Sequence, residues 1–219
     1  MSDSMVGRVP GELLARGRIV SVREIIRKCP VRPKTTKRPH ARRKPKDVVF
    51  EKPGDVARID TMSVTPPFGR PLKHFDAYDP VGKWTVAQPR REARAKDAAS
   101  FLEKVLAEMP WPVKAIQIDG GSEFMAEFEK ARADKGLPLY VPPPRSRKLN
   151  GGVERCNQAW RYEFHGCVEL PDSLEEITRE VDRFQHKYNH VRPHGALGYT
   201  TPASYLRKYR DRANQDSHM

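Results

Sequence analysis

The chain has 219 residues, 37% of them hydrophobic, which is enough for one packed core with an appendage and too little for two large domains. Lys and Arg number 41 against 28 Asp and Glu, a formal +13, and residues 1–50 alone hold 14 basic and 4 acidic side chains, a surplus that suits DNA or RNA before anionic lipid. No apolar run approaches the ~18 residues of a membrane span, no secretory signal opens the chain, and Cys29, Cys156 and Cys167 fit neither full pairing nor a zinc spacing, so a reducing cytosol is expected.

Ser21–Lys28 predicts a short helix capped by Ser21, with Val22, Ile25 and Ile26 on one face and Arg23, Arg27 and Lys28 free for phosphates. Residues 1–29 then read as an incomplete helix-turn-helix-like segment, or more plainly as a frayed basic helix. Residues 30–52 read as a basic linker: Pro30, Pro33, Pro39 and Pro45 interrupt any packed element. Within it Arg42, Arg43, Lys44 and Lys46 are candidate phosphate contacts, a solubilising role being the alternative.

From Pro53 the composition turns globular. Val56–Val64, Leu72–Tyr78 and Lys83–Gln88, separated by turn-rich clusters, predict an antiparallel meander. Ala98, Phe101, Leu102, Val105 and Met109 recur at helical spacing and stop at Pro110. Val113–Ile118 predicts a central strand, Ser122–Lys135 a helix ended by Gly136, and Leu137–Val141 a strand stopped by Pro142. A basic loop over residues 142–149 leads into a helix with Val153, Cys156, Trp160, Phe164 and Cys167 on one face. Glu154, Gln158, Arg161 and His165 follow a second face. Leu174, Ile177, Val181, Phe184 and Tyr188 mark a last amphipathic helix, and residues 207–219 are expected to be a disordered tail. The order βββαβαβα places helices against a mixed sheet, an α/β layer architecture over residues 53–206. Trp84, Trp111 and Trp160 are expected in the core or at its edge.

Three acids stand out by their placement. Asp60 lies on the first strand, Asp119 leaves a strand end before a Gly-Gly turn, and Glu154 occupies the first turn of a helix. Gathered in space, three acids would repel one another unless a divalent ion lay between. An all-oxygen set favours a hard ion, Mg²⁺ first and Mn²⁺ as substitute. Two such ions about 4 Å apart would hold a scissile phosphate and activate water or a 3′-hydroxyl. Any one of these acids alone reads more simply as a turn or cap residue; the ordering of all three carries the idea.

Asp60 in Arg-Ile-Asp-Thr, Asp119 in Ile-Asp-Gly-Gly-Ser-Glu-Phe and Glu154 in Asn-Gly-Gly-Val-Glu-Arg-Cys-Asn resemble the catalytic triad of DDE transposases and retroviral-type integrases. The segment Tyr188-Asn189-His190-Val191-Arg192-Pro193-His194 through Thr201-Pro202 is similar to the one that closes the catalytic domain of bacterial insertion-sequence transposases. The resemblance implies an RNase H-like fold, Mg²⁺ dependence, 3′-end cleavage and strand transfer on double-stranded DNA, and action as a homo-oligomer in the bacterial cytoplasm at the nucleoid. It also implies that Lys148 and Asn150 meet the DNA end, where a plain surface loop is the alternative.

Arg155, Gln158 and Arg161 are further candidates for phosphate contact, against a merely solvated helix face. His186, His190 and His194 are spaced as a zinc site could be, yet lack a nearby cysteine and read better as packing groups. Two other readings stay open: an RNase H-like nuclease that hydrolyses without joining, and a catalytically silent DNA-binding remnant.

Overall fold

The computed structural model describes residues 49–65, 70–141 and 151–216. Five strands, β1 (Ala57–Val64), β2 (Leu72–Tyr78), β3 (Thr85–Arg90), β4 (Ile116–Ile118) and β5 (Leu139–Tyr140), form one sheet in the order β3-β2-β1-β4-β5. The β1-β2 and β2-β3 pairs are antiparallel, and β1-β4 and β4-β5 are parallel, as a meander followed by βαβ units requires. Pro89 sits in β3, where a missing N–H is tolerated because β3 is an edge strand.

Alternation along the strands divides the core into two layers. Ala57, Ile59, Phe75, Ala77 and Val86 face α1 (Ala95–Glu108) and α2 (Glu127–Asp134), which contribute Phe101, Leu102, Val105 and Phe128. Met62, Leu72, Tyr78 and Ala87 face the other way. There they meet α3 (Gly151–Gln158), a π-helix over Ala159–His165, and α4 (Leu174–His190), which contribute Cys156, Trp160, Phe164, Ile177, Val181, Phe184 and Tyr188. Of the three tryptophans, Trp160 is fully buried and Trp84 packs at the core edge.

The structure differs from the sequence expectations in several places. The helix expected over Ser122–Lys135 is broken into a 3₁₀ turn, Ser122–Phe124, and α2. The break falls at Ala126 (φ 49°), and it lets Phe124 and Phe128 both be buried, their rings meeting edge to face at 5.2 Å. The strand expected from Val113 begins only at Ile116, after two prolines at 110 and 112, although the Lys114 N–H already donates to the Gly54 carbonyl at 2.9 Å. The strand expected over Leu137–Val141 is confined to Leu139–Tyr140, just after Pro138. Cys167 leaves the apolar face: the helix ends at His165, the Cys167 N–H bonds back to the Phe164 carbonyl, and the side chain is exposed.

The expected disordered tail is corrected as far as Asp216 by α5, Pro202–Asp216. Thr201 precedes it with a cap, its Oγ1 accepting from the Ser204 N–H at 3.1 Å, and Pro202 opens the helix without losing a needed donor. Leu206 is buried, Tyr209 meets Trp111 edge to face at 5.5 Å, and the Arg210 guanidinium lies 4.7 Å over the Trp111 ring. The N-terminal segment, the arm residues Arg42, Arg43, Lys44 and Lys46, the loop residues Lys148 and Asn150, and residues 217–219 lie outside the described residues.

Candidate active site

The sheet brings two of the three acids to one edge. Ile59 pairs with Ile118 in the parallel β1-β4 ladder, so Asp60, in the middle of β1, and Asp119, just past the end of β4, are next in register on neighbouring strands. Gly120 allows the turn there because its φ of +93° is one an L side chain rarely adopts. The Gly121 N–H then donates to Asp119 Oδ1 at 3.0 Å. Although solvent reaches Asp119, desolvation by its surroundings raises its carboxyl above the ordinary value, and the charges of Asp60 and Glu123 add to that. The bond from Gly121 opposes the rise.

Asp60 is half-buried and held on both oxygens. Oδ1 accepts from the Thr61 N–H at 2.8 Å, and Oδ2 accepts from Asn157 Nδ2 at 2.6 Å. Asn157 stands three residues after Glu154, hence close to the same helix face, so this bond fastens the helix that carries Glu154 to the strand that carries Asp60. Glu154 itself is exposed. Among the described residues no three His, Cys, Asp or Glu side chains stand close enough to hold an ion as placed. The neighbourhood of Asp60 and Asp119 is established through their mutual charge; that of Glu154 rests on the Asn157 tie.

Two polar groups at this edge escaped the sequence reading. Asp76 lies directly opposite Asp60 in the β1-β2 ladder, fully buried, with neither carboxylate oxygen hydrogen-bonded among the described residues. Burial, and then the charge of Asp60, push its carboxyl well above the usual range. The signal was present: in Leu72–Tyr78, period-2 alternation puts Asp76 on the face shared by Leu72, His74 and Tyr78. Asn157 could have been found from its three-residue spacing to Glu154. Its Oδ1 is buried and unpartnered, an acceptor free beside the acids.

Arg155, Gln158 and Arg161 are all exposed, as phosphate contacts must be. Of the three histidines, His186 and His190 are exposed and stack on each other at 4.5 Å, while His194 is buried and meets Tyr188 edge to face at 4.7 Å.

Residues 136–202 match the integrase core domain. That integrase-core match takes in Glu154, Asn157 and the segment from Tyr188 to Thr201, and begins after Asp60 and Asp119. Over 91 residues, 41% of this chain, the sequence is 32% identical to the putative transposase InsD for insertion element IS2E of Escherichia coli (strain K12), covering 41% of that protein. It is equally similar, at 32%, to transposase InsD for insertion element IS2D of the same strain, covering 30% of that one. The chain thus matches less than half the length of these relatives. The catalytic core domain of BIV integrase superposes with a TM-score of 0.55 at 17% identity, covering 73% of this chain and 99% of that one. The HTLV-2 integrase catalytic core domain, solved in complex with magnesium, superposes at 0.54 and 14% identity, covering 70% and 96%. The fold is therefore the RNase H-like fold of integrase catalytic cores, and the sequence likeness is to insertion-sequence transposases. No helix among the described residues is long and apolar enough to cross a membrane.

Proposed function

We propose that this chain is a DDE-type polynucleotidyl transferase that cleaves DNA 3′ ends and transfers them to target DNA, with Asp60, Asp119 and Glu154 as its metal-holding acids. The observation that carries the reading is that Asp60 and Asp119 directly follow the paired residues Ile59 and Ile118 on neighbouring parallel strands, with the Glu154 helix tied to Asp60 through Asn157. The donor set fits Mg²⁺ or Mn²⁺: every ligand is a carboxylate oxygen, and the crowding of Asp119 by Asp60 and Glu123 is a surplus of negative charge that a dication relieves. Bound there, one or two such ions would lower the pKa of an attacking water or 3′-hydroxyl and stabilise the leaving oxygen. The protein supplies placement. β1 and β4 fix two carboxylates, Asn157 holds the rotamer of the first, and Arg155, Gln158, Arg161, Lys148 and Asn150 are assigned to the DNA strand. Double-stranded DNA at the bacterial nucleoid is the substrate in this reading, and a homo-oligomer the acting form.

The test is Mg²⁺-dependent nicking and joining of DNA carrying the element's own ends, with Asp60→Asn, Asp119→Asn and Glu154→Gln. Each variant is expected to lose about 10²-fold or more in both steps while retaining DNA binding. Cleavage without any joined product would instead mark a nuclease. An unmutated chain that binds DNA and does neither would mark a silent remnant.

A further inference from the structure

On one flank of α3 lies a cleft of about 760 Å³, floored by Tyr78 and Lys83 and closed by Arg192 and the chain that follows α4. Arg155, Gln158 and Tyr162 line it at spacings of three and four residues, so they share one helix flank, turned from the one that bears Glu154 and Asn157.

Its charge is unbalanced. Glu163 is the one acid in the lining, and it is committed to Arg192 through two bonds of 2.9 and 2.6 Å. Arg155 and Lys83 form no ion pair among the described residues; Lys83 Nζ donates to the Pro80 carbonyl, lies 5.9 Å from the Tyr78 ring centroid and is acted on by the Asp79 charge. Lys83 is also held at φ +58°, a left-handed conformation that glycine or asparagine adopts with less strain. Burial disfavours the Lys83 charge more than the nearby Asp79 carboxylate restores it, so an added anion at this ammonium is favourable. The field inside the cleft agrees: besides its burial, both Arg192 and Lys83 hold the His194 imidazole below its ordinary pKa. At the mouth, the Tyr162 side chain is exposed, with 70% of the residue's surface open to solvent and no ring partner among the described residues.

Cations set for a phosphate beside a free aromatic face are the combination that binds single-stranded nucleic acid. A cleft of about 760 Å³ has room for a nucleotide. We propose that this cleft binds an unpaired nucleotide of the DNA strand, its phosphate on Lys83 and Arg155 and its base against Tyr162. The proposal deepens the assignment of DNA as substrate and rests on that reading; it adds that the substrate strand must be locally unpaired beside the catalytic helix.

The experiment compares two fluorescein-labelled DNAs, a blunt duplex and the same duplex with a three-nucleotide single-stranded extension, binding to the full chain. Lys83→Gly, Arg155→Gln and Tyr162→Ala are each expected to weaken binding of the extended DNA about tenfold and of the blunt DNA less than about threefold, with Tyr162→Phe close to the unmutated protein. Lys83→Gly is expected to raise the melting temperature as it weakens binding, which separates lost contact from lost fold. With 2-aminopurine in the extension, quenching on binding should vanish in Tyr162→Ala. Equal losses on both DNAs, or none on either, overturn the cleft. Mg²⁺-dependent nicking measured on the same preparations separates the two ideas. Nicking without discrimination sinks the cleft alone, and discrimination without nicking sinks the proposed chemistry alone.

Discussion

His165 Nε2 approaches His74 Nδ1 at 3.3 Å on the helix-covered face of the sheet, so one ring must donate and the other accept. Their outer nitrogens, His74 Nε2 and His165 Nδ1, are buried without partners among the described residues. Burial holds both imidazoles low, His74 well below 6.5 with the charges of His165 and Lys104 adding to it, and His165 at about 4. With folded values below the free one, the unfolded chain binds more protons in acid. Stability from this pair is complete above about pH 6.5 and is lost as the pH falls toward 4. His165→Gln should therefore flatten the fall in unfolding free energy across that window by about 3 kcal/mol, read from urea titrations at successive pH values. An unchanged pH dependence would show that the pair is hydrated. Asn157 makes a second residue-scale case. Asn157→Ala frees Asp60 Oδ2, and if the amide positions the carboxylate, kcat falls while DNA affinity holds. Asp119 and Glu154 were legible because each ends or opens an element, and Asp60 because it is an acid on a predicted strand that precedes them in the order of the motif. For Asp76 the alternation gave only its face, shared with Leu72, His74 and Tyr78; its full burial follows from the helix layer that covers that face.

Elements bear out the strand pattern more closely than the helix ends. β1 and β2 announce themselves by alternation, and the α1 heptad by its apolar spacing before Pro110. The π-helix could not be read: Cys156, Trp160 and Phe164, four residues apart, are compatible with either winding, and only the backbone distinguishes them. α5 was missed for a different reason. Its exposed face is so basic and polar that Leu206 and Tyr209 look isolated, and their meaning appears only when Gly82 and Trp111 lie beneath them. A Cβ at Gly82 would come within 2.8 Å of Leu206 Cδ2, which shows how closely the helix sits on the β2-β3 turn. That turn is itself braced by Asp79, whose carboxylate accepts from the N–H groups of Val81, Gly82 and, across to the approach of β1, Gly54 at 2.8, 3.1 and 2.9 Å. Leu206→Ala is thus expected to destabilise the core by about 2–4 kcal/mol, measured by denaturant unfolding. A cost near zero would mean that α5 is docked only in name.

At the scale of the whole molecule, the proposed function makes charge decide how DNA is approached before any residue reads it. The formal charge is +13, and the described core carries its cations in part as local pairs, such as Lys104 with Asp182 at 3.1 Å and Arg192 with Glu163 at 2.6 Å. Paired cations release few counterions on binding. The arm residues Arg42, Arg43, Lys44 and Lys46, crowded into five positions with no acid among them, are therefore assigned much of the long-range attraction. Each phosphate contact contributes a slope of about −0.9 to log K against log salt, so losing four reduces the slope by about 3.6. Replacing all four by Gln should then cost little at 200 mM salt beside its effect at 50 mM, where affinity for any DNA sequence falls about 10²-fold further. Binding isotherms at four salt concentrations decide it. A slope unchanged by the substitutions would transfer the attraction to the exposed cations Arg155 of α3 and Arg161 of the π-helix, whose removal would then be the change that flattens it.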